Sequence, residues 1–305
     1  MLASISNSTI KQYNVSLRKW WIFCEKKNNI NVFQSDSKQV VKCLGMCQYE
    51  GASYNSLNAH LSAIKLITDI TGNLEIFKRF LKGAFRIKPC FPKYQETWDP
   101  EKVLNYLSKL YPLENISFDM LSIKLVTLLA LTSAHRMQTL SKIQLNNIYT
   151  YEDRIEIVIT DVIKTSYHNK SQPILKFPIF REKPELCVAT TLCFYINATR
   201  PKRCDKNNNY LLLTHKKPYR VASTQTLSRW IKKALERSGI DVNKFKGYST
   251  RHSAVSAASR QGVNIETIRS AAGWTAKSNM FVRFYDRPIL DKCVFAKSIL
   301  GMEIN

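Results

Sequence analysis

The sequence predicts a mainly α protein with a small antiparallel β-sheet, in three parts: a four-helix N-terminal domain over residues 1–88, a linker over 89–98, and a larger α+β domain over 99–305. Three observations lead there. Apolar residues recur at helical spacing through the first part, whereas KPCFPKYQETW has two prolines and no helical period. Alternating β-branched residues are concentrated in RIEIVITDVIK and PILKFPIF.

In the first domain, Ile10, Tyr13, Leu17, Trp20, Trp21 and Cys24 follow the candidate cap Ser8-Thr9 and predict a helix with its aromatic face turned inward. Similar stripes run through SKQVVKCLGMCQYEG, SYNSLNAHLSAIKLITDITG and LEIFKRFLKGAFRIK, ended or separated by Gly, Asn or Asp. Their polar faces carry Lys38, Lys42, Lys65, Lys82 and Arg86, a density that suits phosphate contacts and equally suits a solvated surface.

The second domain opens with Asp99-Pro100-Glu101, an N-cap followed by proline at the first helical position, where its missing N–H costs nothing. Leu121 to Leu131 is apolar on nearly every side and predicts a buried helix, interrupted at Thr132-Ser133 and resuming past Arg136. Ile155, Ile157 and Ile159 share one face of a strand that turns back through TSYHNKSQ. YLLLT is strand-like, and TQTLSRWIKKALERSGI is a helix stopped at Gly239. From Lys246 to Ile289, three short helices carry an arginine, a tryptophan and a tyrosine.

Lys and Arg number 46 against 23 Asp and Glu, a formal net charge of +23, which points to a polyanionic partner, nucleic acid ahead of an acidic membrane surface. The eight cysteines show no metal-ligand spacing and no disulfide framework, so no metal is expected. MLASISNSTIKQYNV lacks the apolar run of a signal peptide, and no stretch approaches the roughly 20 apolar residues of a membrane span, so a soluble intracellular protein is expected. An RNA-binding module is disfavoured, because no aromatic-rich strand motif is present.

Arg251 stands near the start of a helix of small residues, Ser253, Ala254, Ser256, Ala257, Ala258 and Ser259, and alone reads as an arginine snorkelling from a close-packed helix. Arg136 follows the buried helix at a break, where a guanidinium must be paired or face a ligand. Together the two form a fork able to clamp the non-bridging oxygens of one phosphate.

On these residues the sequence resembles the tyrosine recombinases, or phage-integrase family. Arg136 in TSAHRMQTLSKIQL matches the first arginine box, Lys164 in VIKTSY the β-hairpin lysine, and Arg251 in YSTR the second box. Trp274 in AAGWT matches the His-or-Trp position, and Tyr285 in FVRFYDRP the nucleophile. WDPEKVLNYL, LLALTSAHRMQTL and STRHSAVSAA have the cast of eukaryotic DIRS-like and Crypton-type mobile-element recombinases. The resemblance implies that residues 1–88 are the core-binding, DNA-clamping domain and 99–305 the catalytic domain. It implies cleavage and rejoining of double-stranded DNA through a 3′-phosphotyrosine at Tyr285, with no cofactor, by a homo-oligomer, dimer or tetramer, in the nucleus. Arg136 and Arg251 would stabilise the transition state, Lys164 would protonate the leaving oxygen, and Trp274 would buttress the phosphate site.

Two departures bear on activity. Tyr248 stands where the family usually has histidine, and a phenol is a poor base near neutrality. His252, on nearly the same helical face, is either a stand-in or an exposed histidine. The interval from Trp274 to Tyr285 is also about one or two residues longer than usual, so a loop must absorb a rotation of roughly 100° per residue. The second reading is therefore a DNA-binding protein that kept the clamp and lost efficient catalysis. Beyond Tyr285, Leu290, Val294, Phe295, Ile299 and Leu300 make an apolar stripe that docks on its own domain or on a neighbouring protomer. TRPKRCDK, from Thr199 to Lys206, is a basic loop or a nuclear localisation patch.

Overall fold

A computed structural model of the chain describes residues 4–27, 30–169, 171–204, 209–275, 278, 281–285 and 298–301. The chain divides into two compact units, Met1–Lys93 and Tyr94–Asn305.

The first unit is built from α1 (Asn7–Lys26), β1 (Gln34–Asp36), α2 (Ser37–Tyr49), α3 (Tyr54–Ile67), β2 (Asp69–Thr71) and α4 (Glu75–Ile87). Ser6, rather than Ser8-Thr9, caps α1, its hydroxyl accepting from the Thr9 N–H. Trp20, Phe23 and Cys24 enter the core, with the Trp20 and Phe23 rings stacked 5.7 Å apart. Trp21 and Ile10, expected inward, are exposed. Consecutive residues lie roughly 100° apart around a helix, so only one of the paired tryptophans can face inward. The parallel pairing of β1 with β2, Gln34 opposite Asp69, was not legible, because QSD and DIT are too short to show alternation. The Val32 carbonyl beside it accepts from both Trp20 Nε1 (3.1 Å) and Thr68 Oγ1 (2.7 Å).

The second unit contains α5 (Pro100–Ser108), α6 (Phe118–Ser133), α7 (Met137–Leu140), β3 (Ile148–Thr150), β4 (Arg154–Val158), β5 (Ile174–Pro178), α8 (Val188–Thr199), α9 (Thr224–Arg237), α10 (Ser249–Arg260) and α11 (Ile265–Ala271), with a π-helical turn at Phe281–Tyr285. Asp99 caps α5 with Pro100 in its first turn. Tyr94 and Trp98, within the stretch read as a linker, are buried in this unit's core. α6 is the central element, packed by α8, α9 and α10 and buried along almost its whole length. It ends at Ser133, within the expected break at Thr132-Ser133, because Ala134 turns left-handed with φ of 51°, and helix resumes past Arg136. The antiparallel sheet runs β3-β4-β5 with Ile155 opposite Phe177, and Ile155, Ile157 and Ile159 face the core as expected. β3 was not foreseen, and the connection back to β5 is longer than TSYHNKSQ. YLLLT makes only isolated bridges, Gln144 to Tyr210 and Leu213 to Val221.

Among the described residues, no helix is long and apolar enough to cross a membrane, and no group of His, Cys, Asp or Glu could hold a metal ion. Leu290, Val294 and Phe295 of the apolar stripe lie outside the described residues, as do Asp205 and Lys206 of the basic patch. Ile299 and Leu300 are exposed.

Lys124 of α6 is fully buried, its ammonium donating to the Leu110 carbonyl at 2.6 Å. Burial pulls its pKa down to about 8, against a smaller upward pull from Glu185. Between that value and the unfolded lysine's, the unfolded chain holds the extra proton, so this lysine's penalty is full below about pH 8 and fades as pH rises toward the unfolded value. The stability difference between wild type and Lys124→Met should therefore shift in favour of wild type, by up to about 3 kcal/mol, when denaturant unfolding is repeated from pH 8 upward. A pH-independent difference would contradict this.

Candidate active site

Three helix ends meet around Arg251, whose side chain is 1% exposed rather than snorkelling outward. Its Nη1 donates to the Ala134 carbonyl (2.8 Å) at the end of α6, and its Nη2 to the Ala272 carbonyl (2.7 Å) at the end of α11. Carbonyls at a helix C-terminus lack intrahelical partners and carry the negative end of the helix dipole, so both are suited to a buried cation. Among the described residues no carboxylate lies within salt-bridge distance of Arg251. Burial, and secondly the charge of half-buried Arg136, draw its pKa down to about 10, which leaves it charged at neutral pH.

The left-handed turn at Ala134 orders this corner, presenting its carbonyl to Arg251 and releasing the chain through His135 to Arg136, the N-cap of α7. His135 is buried, and burial followed by the two arginine charges holds its pKa down at about 4, so its imidazole is neutral. Gly273, with φ of 66°, lets the chain pass His135, since a Cβ there would stand 3.2 Å from His135 Cε1. Trp274 follows in the loop after α11 rather than on a helix. Its ring centroid lies 4.6 Å from the Arg251 guanidinium carbon.

Tyr285 closes the π-helical turn and is 3% exposed. Such a turn holds more residues than an α turn, which makes it a natural place for added length before the tyrosine. The Tyr285 ring stacks on His252 (4.3 Å, 21° between planes), lies 4.8 Å from Trp274, and has the Arg251 guanidinium 5.4 Å from its centroid. Ser256 Oγ donates to the Tyr285 carbonyl at 2.6 Å. The Tyr285 hydroxyl is hydrogen-bonded to that of Tyr248, which is 42% exposed. Burial first and the Tyr248 hydrogen bond second push the Tyr285 pKa up to about 12, against the pull of Arg251 and Arg136.

Tyr248 is set at the start of α10 by Gly247, where a Cβ would come within 2.8 Å of the Ser228 carbonyl oxygen. His252 is 6% exposed, so the exposed-histidine expectation fails. Its ring also meets that of Tyr94, centroids 5.0 Å apart and steeply inclined at 75°. Lys164, by contrast, is exposed, its backbone N–H donating to Gln138 Oε1 at 3.0 Å and so tethering its loop to α7. A cavity of about 590 Å³ beside Trp274 is lined by His135, Thr165, Gln172, Lys176 and Thr267 among others. Thus Tyr285 touches Arg251, Trp274 and Tyr248, Arg251 also touches Trp274, Arg136 is near enough to act on Arg251 and Tyr285, and Lys164 is on an adjoining loop.

In the first unit, exposed Lys38 and Lys42 share one face of α2, and exposed Lys82 and Arg86 share one face of α4. Lys65 of α3 reaches over the Phe77 ring at 5.0 Å.

Sequence reasoning missed Ala134 and Ala272, which act through their backbone, and Trp98 and Tyr94, which lay in a stretch read as linker. Trp98 Nε1 donates to Ser249 Oγ (2.8 Å), and Ser253 Oγ donates to the Trp98 carbonyl (2.9 Å). Ser249, Ser253 and Ser256 lie one above another on α10, and the sequence reading takes Ser253 and Ser256 only as small. Hydroxyls at that spacing were the available signal that the helix face is hydrogen-bonded as well as close-packed.

Removing the Tyr248 hydroxyl removes one of the causes that raise the Tyr285 pKa. In Tyr248→Phe, the Tyr285 signal of ring-labelled protein should titrate at lower pH than in wild type; an unmoved titration would show that burial alone sets it.

The phage integrase family model matches residues 104–287. No curated protein matches the sequence. Among solved structures, the XerH site-specific recombinase bound to palindromic difH substrate in a post-cleavage complex matches with a TM-score of 0.62 at 13% identity, over 96% of this chain and 78% of that one. The Tn1549 transposon integrase in complex with transposon right end DNA gives 0.55 at 15%, over 90% and 86%. A lambda integrase dimer bound to a COC′ core site gives 0.52 at 13%, over 92% and 89%. At these identities the likeness is one of fold, and it agrees with the mainly helical architecture and small antiparallel sheet. With a family model spanning more than half of the chain, this protein belongs to the phage integrase family.

Proposed function

We propose that this protein cleaves and rejoins double-stranded DNA through a 3′-phosphotyrosine intermediate on Tyr285, and that it derives from a eukaryotic mobile element of the DIRS-like or Crypton type. The observation that carries this reading is a pair of orphaned donors. Among the described residues, the Arg251 Nε–H and the Trp274 Nε1–H are both buried and without a hydrogen-bond partner, around a guanidinium that no carboxylate reaches. Buried donors are nearly always satisfied, so two together beside a cation fit an anion supplied by a ligand. Family membership and the DNA-bound structures sharing the fold support reading that anion as a DNA phosphate.

In this account Arg136 and Arg251 bind the non-bridging oxygens and stabilise the charge that grows on them in the transition state. Tyr285 is a neutral phenol at working pH, so its attack on phosphorus is coupled to loss of its proton. The Tyr248 hydroxyl, hydrogen-bonded to Tyr285 and half open to water, gives that proton a relay to solvent rather than a strong base. Lys164 protonates the departing 5′-oxygen. The phosphodiester energy is kept in the phosphotyrosine bond, and attack by a second 5′-hydroxyl reverses the step. The basic faces of α2 and α4 and Lys65 serve as phosphate contacts of a DNA-clamping domain, and the protein acts in the nucleus as a dimer or tetramer on DNA. A lambda integrase tetramer bound to a Holliday junction is one relative of this fold for which such an assembly is described. The second reading, a DNA-binding protein with weakened catalysis, is favoured by the burial of Tyr285 and by Tyr248 in place of histidine.

On a nicked suicide duplex, wild type should form a covalent adduct, and Tyr285→Phe should lose it while keeping its DNA affinity, because only the nucleophilic oxygen is removed. An adduct surviving in Tyr285→Phe would place the nucleophile elsewhere. Tyr248→His should raise the single-turnover rate near pH 7 to 8, within the roughly 10²–10⁴-fold range of general acid–base assistance; no change would mean that proton transfer there is not limiting. Duplex affinity should fall by about 10³–10⁵-fold between about 50 and 200 mM salt if six to ten phosphates are contacted, and a flat titration would contradict phosphate-dominated binding.

A further inference from the structure

We infer that His252 is the positioning residue of Tyr285: its imidazole face is the bearing that fixes the tyrosine ring, and it does not accept the tyrosine's proton. The inference rests on the proposed role of Tyr285 as nucleophile. The two rings are stacked, 4.3 Å between centroids and 21° between planes. An imidazole nitrogen accepts a proton through a lone pair in its own ring plane, whereas the phenol and its hydroxyl lie in the layer above that plane. This geometry offers Tyr285 a flat surface and not a basic nitrogen.

The bearing is itself packed against further rings. Tyr94 meets His252 edge-on at 5.0 Å, stacks on Phe245 at 5.7 Å, and accepts the Lys246 backbone N–H through its hydroxyl at 3.3 Å. His252 is 6% exposed and Tyr94 3%, so the rings of Tyr94, His252 and Tyr285 make one buried cluster in the second unit. Ser256, one helical turn beyond His252 on α10, fixes the backbone end of Tyr285 by donating to its carbonyl. One helix thus sets the ring through His252, the main chain through Ser256 and the phosphate-binding cation through Arg251, which ties the distance between nucleophile and electrophile to a single rigid element. Attack requires in-line approach, and a misplacement of about 1 Å can cost about 10²-fold in rate.

Two variants, set against wild type, separate a bearing from a base. His252→Phe keeps a flat ring and has no titratable nitrogen, His252→Ala removes the surface, and wild type is the reference. Single-turnover adduct formation on a nicked suicide duplex is measured against pH, together with duplex affinity and the ring proton shifts of Tyr285 in ring-labelled protein. His252→Ala should slow adduct formation by about 10²-fold with affinity unchanged, and should relieve the ring-current shift of Tyr285. His252→Phe should restore both the rate and a shifted Tyr285 signal, with the wild-type pH profile. A slow His252→Phe whose acid limb is lost would make the histidine a base and overturn the inference, as would a His252→Ala as fast as wild type. Absence of any adduct from wild type, with its Tyr285 shift intact, overturns the strand-transfer reading and the inference with it.

Discussion

A guanidinium buried to 1% exposure constrains everything packed around it, because an uncompensated charge at that depth would cost several kcal/mol. In this protein the compensation is made by main chain. The end of α6 and the end of α11 each supply a carbonyl to Arg251, and each must stop where it does for that carbonyl to be free. The left-handed turn at Ala134 and the passage of Gly273 past His135 are the local consequences. The same turn delivers Arg136 to the rim of the site, so the cation that is fixed and the cation that faces outward are set by one corner of the chain.

The aromatic rings extend this constraint to the tyrosine. Trp274 and Tyr285 both lie close to the Arg251 guanidinium, and His252 and Tyr94 continue the packing away from it. An aromatic face suits a partly desolvated guanidinium, and it leaves N–H donors free where a carboxylate would have consumed them. The site is therefore electropositive, neutral at His135, and closed over a phenol kept protonated by its burial.

How much of this the sequence disclosed depended on whether a feature left a mark in side-chain type. The buried α6, the cap Asp99-Pro100 and the inward Ile155, Ile157 and Ile159 were legible because burial and capping select residue types at fixed spacing. The gathering of Arg136, Arg251, Trp274 and Tyr285 followed from resemblance, since nothing in their spacing alone places residues from separate segments together. What stayed hidden was carried by the backbone or by sequence-distant contact. The carbonyls of Ala134 and Ala272 have no signature in an alanine, Tyr94 and Trp98 sat among prolines that looked like a linker, and His252 gave no sign that its ring would face Tyr285. Trp21 shows the converse, an aromatic residue at helical spacing that faces water because Trp20 had already taken the core side.

On the proposed function, the buried Arg251 guanidinium receives a DNA phosphate through its Nε–H, which has no partner among the described residues. Nitrogen-15 spectra of the arginine Nε–H groups, with the Arg251 signal assigned by its loss in Arg251→Lys, test this directly. On addition of a short duplex the account predicts that the Arg251 signal moves to a hydrogen-bonded position and that its exchange with water slows. A signal that stays in place while the duplex is bound elsewhere on the protein would contradict it.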